Sequence, residues 1–155
     1  MVHFITGPVG AGKSTKLLRI YESMHSGDGF YNVRCYKGGE TIGQDIVHMQ
    51  SGNRIPFSRV EDSIPENWDE EVRFMNYSFS KKGFEFAGNI INIIAQNNLQ
   101  TAFIDELGPL EIQKEGLYVH FSRLLRRNID LYVVCRDTCI NKIIDLFSIS
   151  NFTIE

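Results

Sequence analysis

One octapeptide restricts this chain more than anything else in it. Gly7-Pro8-Val9-Gly10-Ala11-Gly12-Lys13-Ser14 has the spacing G-x-x-x-x-G-K-S. It follows a short apolar run, Val2-His3-Phe4-Ile5, and precedes a segment in which Leu17, Leu18, Tyr21 and Met24 share one helical face. Strand, glycine-rich loop and helix in that order form a phosphate-binding loop. Glycines at 7, 10 and 12 allow backbone angles closed to other residues, so successive N–H groups can turn inward onto phosphate oxygens. The helix that starts at Lys13 adds its positive end. Lys13 is expected to reach the β- and γ-phosphates of a nucleotide, and Ser14 to ligate a Mg²⁺ that bridges them. Thr15 is either an α-phosphate contact or a helix-capping residue. Pro8, Val9 and Ala11 complete the candidate nucleotide-binding loop.

A loop of this kind needs an acidic partner at the end of a neighbouring strand. Ala102-Phe103-Ile104-Asp105-Glu106 supplies one. Asp105 is the candidate Walker-B aspartate that positions the metal. Glu106, one residue on, can face the space beyond the γ-phosphate and orient or deprotonate a water, which leans toward hydrolysis. Charge that develops on the transferred phosphoryl group calls for a cation besides Lys13. Arg136 ends the apolar run Leu131 to Cys135, at the edge where open α/β sheets bind ligands, and is either that cation or a salt-bridged surface arginine.

The rest of the chain sets the frame. At 155 residues it has the size of one domain, and 43% hydrophobic with 23% charged residues places it among globular proteins. Strands alternate with helical stripes, predicting a three-layer α/β fold with a mainly parallel central sheet and helices on both faces. The segment 41–60, two extended arms around Gln50-Ser51-Gly52-Asn53, is expected to be a hairpin insertion at the sheet edge, because Pro56 interrupts its second arm. A helical stripe is expected from about Lys81 to Asn98. The net charge of −3, from 16 basic and 19 acidic side chains, offers no general attraction to nucleic acid or to an anionic membrane. The apolar clusters are too short to span a bilayer, and the first strand begins directly, predicting no signal peptide. Three cysteines, Cys35, Cys135 and Cys139, at no metal-ligand spacing, point to reduced thiols and the cytoplasm. His3, His25, His48 and His120 are isolated from one another.

On Gly7 to Thr15, and on Phe103-Ile104-Asp105-Glu106-Leu107-Gly108-Pro109-Leu110-Glu111, the chain resembles the small P-loop nucleoside-triphosphatases first described from thermophiles. The likeness is specific at these two motifs and looser across the rest of the chain. It implies Mg²⁺-dependent hydrolysis of ATP, GTP and other nucleoside triphosphates, with Lys13 and Ser14 on phosphate and metal, Asp105 positioning the metal and Glu106 activating water. Glu111 matches the family's second glutamate, without an evident chemical role. The chain stops just after its last expected strand, where relatives usually continue, which leaves base recognition open. Two other readings remain: a P-loop kinase for a nucleoside or other small hydroxyl compound, and a nucleotide-gated binding module that uses the 41–60 hairpin on a partner. Thymidine kinases share the loop and the Asp-Glu pair but carry a cysteine-rich zinc lobe absent here.

Overall fold

The computed structural model describes residues 1–155. Its element order is β1 (Val2–Gly7), α1 (Lys13–Met24), β2 (Asp28–Lys37), β3 (Glu40–His48), β4 (Arg54–Val60), β5 (Glu70–Phe74), β6 (Tyr77–Ser80), α2 (Lys81–Gln96), β7 (Thr101–Leu107), α3 (Pro109–Ile112), α4 (Tyr118–Leu125), β8 (Asp130–Arg136), α5 (Ile140–Phe147) and β9 (Phe152–Ile154). The nine strands form one sheet in the order β5-β6-β4-β3-β2-β7-β8-β1-β9.

Alternation along the central strands divides the apolar residues between two faces. Phe4, Ala102, Ile104, Val133 and Cys135 point into the larger core with residues of α2, α3, α4 and α5. Their neighbours Ile5, Phe103 and Val134 point the other way and pack with Leu17 of α1. One helix therefore covers one face and four cover the other, a three-layer arrangement that follows from the period of two in each strand.

The sheet is parallel only from β2 to β9. Strands β2, β7, β8, β1 and β9 pair in parallel, whereas β2–β3, β3–β4, β4–β6 and β6–β5 are all antiparallel. The expectation of a mainly parallel sheet thus describes half of it. The edge hairpin also lies elsewhere than expected: β3–β4, the 41–60 hairpin, is flanked by β2 and β6, and the outer position belongs to the second hairpin, β5–β6. Pro56 is tolerated inside because β6 joins β4 only from Ser58 onward, leaving the outer side of Pro56 without a strand that needs its missing N–H. Phe57 is the extra residue in a β-bulge, since Pro56 pairs with Asp45 and Ser58 with Gln44.

At the start of β2, Asp28 and Gly29 are buried strand residues paired with Ala102 and Phe103. Gly29 is required there because a Cβ would collide with the Phe103 carbonyl. Asp28 is satisfied by the Gly29 N–H at 2.8 Å and by His48 Nε2 at 2.7 Å. His48 in turn meets Ser51 through Nδ1 at 2.8 Å, tying the hairpin loop to the sheet. No helix is long and apolar enough to cross a membrane.

Candidate active site

The loop between β1 and α1 is built for an anion. Gly10 and Gly12 take φ of +82° and +74°, a left-handed backbone that side chains with a Cβ adopt only with strain. Gly12 is the helix N-cap and offers no side-chain acceptor. The N–H groups of Gly12, Lys13, Ser14 and Thr15 find no acceptor within the protein, and only Lys16 begins the helical ladder by donating to Gly12. These are the orphan donors of a helix start, facing outward with the positive end of the helix dipole behind them. The Lys13 ammonium folds back over the loop and donates to the carbonyls of Gly7 at 2.8 Å and Pro8 at 2.7 Å.

The register of the sheet brings the distant acidic segment to this loop. Gly7 of β1 is paired with Arg136 of β8, and Val134 and Cys135 of β8 are paired with Asp105 and Leu107 of β7. Glu106 is skipped. It is the extra residue of a parallel β-bulge, a device that re-aims a side chain, and Leu107 takes its place in the larger core. Asp105 is 3% exposed, and the Ser14 hydroxyl lies against its carboxyl. Burial pushes the Asp105 pKa up to about 6, opposed by the hydrogen bonds from Asn32 and Ser14. The two expected metal ligands, one from each end of the fold, are therefore neighbours.

Glu106 and Arg136 form an ion pair, with Arg136 Nε donating to Glu106 Oε1 at 2.7 Å. Glu106 Oε2 and the two terminal guanidinium nitrogens have no other protein partner, so each side chain keeps a free end. Glu111 has a structural place. Its buried carboxylate accepts from the Gly108 N–H at 2.8 Å and the Leu117 N–H at 2.9 Å, holding the start of α3 and the approach to α4 in one loop. Burial raises its pKa to about 7, and the nearby Glu106 charge adds to the rise.

Asn32 belongs to the site and escaped the sequence reading. Its backbone N–H donates to Asp105 Oδ2 at 3.0 Å, and its side-chain amide donates to the Asp105 carbonyl at 3.1 Å. Its Oδ1 is buried without a partner. The available signal was weak: a strand-disfavouring asparagine between Tyr31 and Val33. Of the aromatics on the same strand, Phe30 is core and Tyr36 is exposed at the end of the β2–β3 hairpin.

The polar set suits a hard divalent cation held jointly with phosphate. It contains one carboxylate, one hydroxyl and an unpartnered amide oxygen, all oxygen donors. No group of three His, Cys, Asp or Glu side chains could hold a metal alone.

Known proteins share sequence and fold with this chain. The chain is 30% identical over 117 residues to the nucleoside-triphosphatase THEP1 of Pyrobaculum calidifontis, a match covering 74% of this chain and 61% of that protein. It is 38% identical over 117 residues to the cancer-related nucleoside-triphosphatase homolog of Bos taurus, covering 70% and 60% respectively. The matched stretch thus spans about three fifths of the length of these relatives. Among solved structures, a human cancer-related nucleoside triphosphatase superposes with a TM-score of 0.67 at 26% identity, covering 97% of this chain and 85% of that one. THEP1 from Aquifex aeolicus superposes with a TM-score of 0.72 over 99% of this chain and 88% of that one, and at 19% identity this likeness concerns the fold alone. The sequence profile described as NTPase matches residues 2–154, nearly the whole chain, and the chain belongs to that family.

Proposed function

We propose that this chain hydrolyses nucleoside triphosphates to the diphosphate and phosphate. The observation that carries the reading is the β-bulge at Glu106, which turns a carboxylate out of the sheet beside the phosphate loop and pairs it with Arg136. The names of the relatives support the same reaction.

In this reading the N–H groups from Gly12 to Thr15 bind the phosphate chain, and Lys13 exchanges the Gly7 and Pro8 carbonyls for phosphate oxygens. A bound Mg²⁺ would be held by Ser14 and Asp105 and would supply charge neutralisation across the β- and γ-phosphates. Asn32 keeps the Asp105 carboxylate aimed. Glu106, through its free Oε2, accepts a hydrogen bond from the attacking water and takes its proton. Arg136 holds Oε1 of Glu106 and offers its terminal nitrogens to the phosphoryl oxygens, which stabilises charge as the bond to the leaving group lengthens. The unpaired thiols Cys35, Cys135 and Cys139 support a reducing compartment, the cytoplasm.

The test is phosphate release measured over the common nucleoside triphosphates with Mg²⁺. Release from several of them, lost in Lys13→Ala, is the expected result. An enzyme-free rate with every nucleotide would overturn the reading.

A further inference from the structure

Beside Glu106 lies a cavity of about 360 Å³ that hydrolysis does not need. A water molecule requires only a small fraction of that space, whereas the volume falls in the range of small-molecule sites. Its walls are aromatic, including Phe57, Phe74, Tyr77 and Phe79. The Phe57 and Phe79 rings meet edge to face at 5.3 Å, so the wall is rigid and preformed. Two bulged residues, Phe57 of β4 and Glu106 of β7, both line it from strands that β3 and β2 separate. Polar groups without protein partners converge on it as well. Gln44 and, at the exposed rim, Arg34 are among the lining residues, and neither side chain forms a hydrogen bond or ion pair elsewhere.

The position of the cavity relative to the phosphate loop decides what it can hold. Among its lining residues are Glu106, Arg136 and Val9 at the outer bend of the loop, but none from Gly10 to Thr15. A nucleotide with its phosphates on the N–H groups from Gly12 to Thr15 would therefore turn its terminal phosphate toward the cavity and its base away from it. The space is the far side of the transferred group, where an acceptor would stand.

We propose that this cavity is the binding site for a second substrate, a nucleoside whose base packs against the aromatic wall and whose hydroxyl reaches Glu106. The proposal rests on the hydrolase reading of Glu106 and Arg136 and extends it from water to an organic hydroxyl. Glu106 Oε2 takes the hydroxyl proton, the new O–P bond forms to the γ-phosphorus, and the bridging P–O bond to the β-phosphate breaks with its electron pair leaving on the diphosphate. The balance is nucleoside plus triphosphate giving nucleoside monophosphate, diphosphate and a proton. Gln44 reads the polar edge of the base, and Arg34 contributes at the rim.

The experiment uses the chain with γ-labelled ATP and Mg²⁺, alone and with adenosine, guanosine, cytidine or thymidine at millimolar concentration. Label recovered in a nucleoside monophosphate with at least one of the four, together with less free phosphate, is the predicted result. Tyr77→Ala should then lower the ratio of labelled monophosphate to labelled phosphate at least tenfold, and Gln44→Ala, a change of one half-buried polar side chain, should do so by about threefold or more. Label found only in free phosphate with all four nucleosides overturns the acceptor site while leaving the hydrolase reading standing. A Tyr77→Ala chain that changes KM among ATP, GTP and CTP, with no transfer product in either protein, shows that the cavity holds the donor's base and also overturns it. No phosphate release in the absence of acceptor, with no transfer either, brings down both readings together.

Discussion

At the scale of single residues, three carboxylates sit within one stretch of chain and do different things because their surroundings differ. Asp105 and Glu111 are buried and raised in pKa, while Glu106 is part-exposed and held by an arginine. For Glu111 the consequence concerns stability. Burial lifts its folded-state pKa to about 7 from 4.5, so between those values the folded chain keeps a proton that the unfolded chain has released. Stability therefore falls as pH rises through that window, and denaturant titrations from pH 4.5 to 7.5 should show a shallower fall in Glu111→Gln. The same variant should lose about 1–3 kcal/mol at pH 7, because an amide cannot accept from both Gly108 and Leu117. Arg136 makes a contrasting case. Its pair with Glu106 is partly exposed and is worth no more than about 1 kcal/mol to the fold, so Arg136→Ala should leave the denaturation midpoint nearly unchanged while cutting phosphate release about a hundredfold. An equal loss of stability and activity would assign the arginine a structural place instead.

At the scale of elements, the parallel half of the sheet was legible and the antiparallel half was only partly so. The apolar runs Val2 to Ile5, Ala102 to Asp105 and Leu131 to Cys135 announce buried strands, and the stripes at Leu17–Met24 and from Lys81 announce helices packed on the sheet. The bulge at Glu106 was not legible, since it exists only as a mismatch between β7 and β8, residues far apart in the chain. Likewise the outer hairpin β5–β6 is made of short strands with weak alternation, and its place is decided by pairing with β4. The β3–β4 loop depends on a buried contact of the same kind. His48→Phe removes the partner of Asp28 Oδ2 and of Ser51, leaving a fully buried carboxylate oxygen unmet. Thermal unfolding should register a loss of about 1–3 kcal/mol, with Asp28→Asn/His48→Phe milder than the sum of its single changes because the charge is then gone.

At the scale of the whole molecule, a P-loop near the N-terminus and an acidic strand end some ninety residues later become one site only because β8 inserts between β1 and β7. Sequence motifs marked both halves, Lys13 with Ser14 and Asp105 with Glu106, since each has a local pattern. Asn32 and the aromatic cavity carried no such pattern, because they arise where the antiparallel strands are laid beside the acidic one. Binding that engages the folded site alone must stabilise the entire chain. Millimolar ATP with Mg²⁺, at about a hundred times its Kd, should raise Tm by about 5–10 °C, a shift lost in Lys13→Ala. The most direct test of the account separates binding from chemistry in Glu106→Gln, by calorimetry with ATP and Mg²⁺ followed by single-turnover phosphate release. The account predicts a Kd within about threefold of the parent chain and release slowed by at least about a hundredfold. Release at the parent rate from a normally binding Glu106→Gln chain would contradict it.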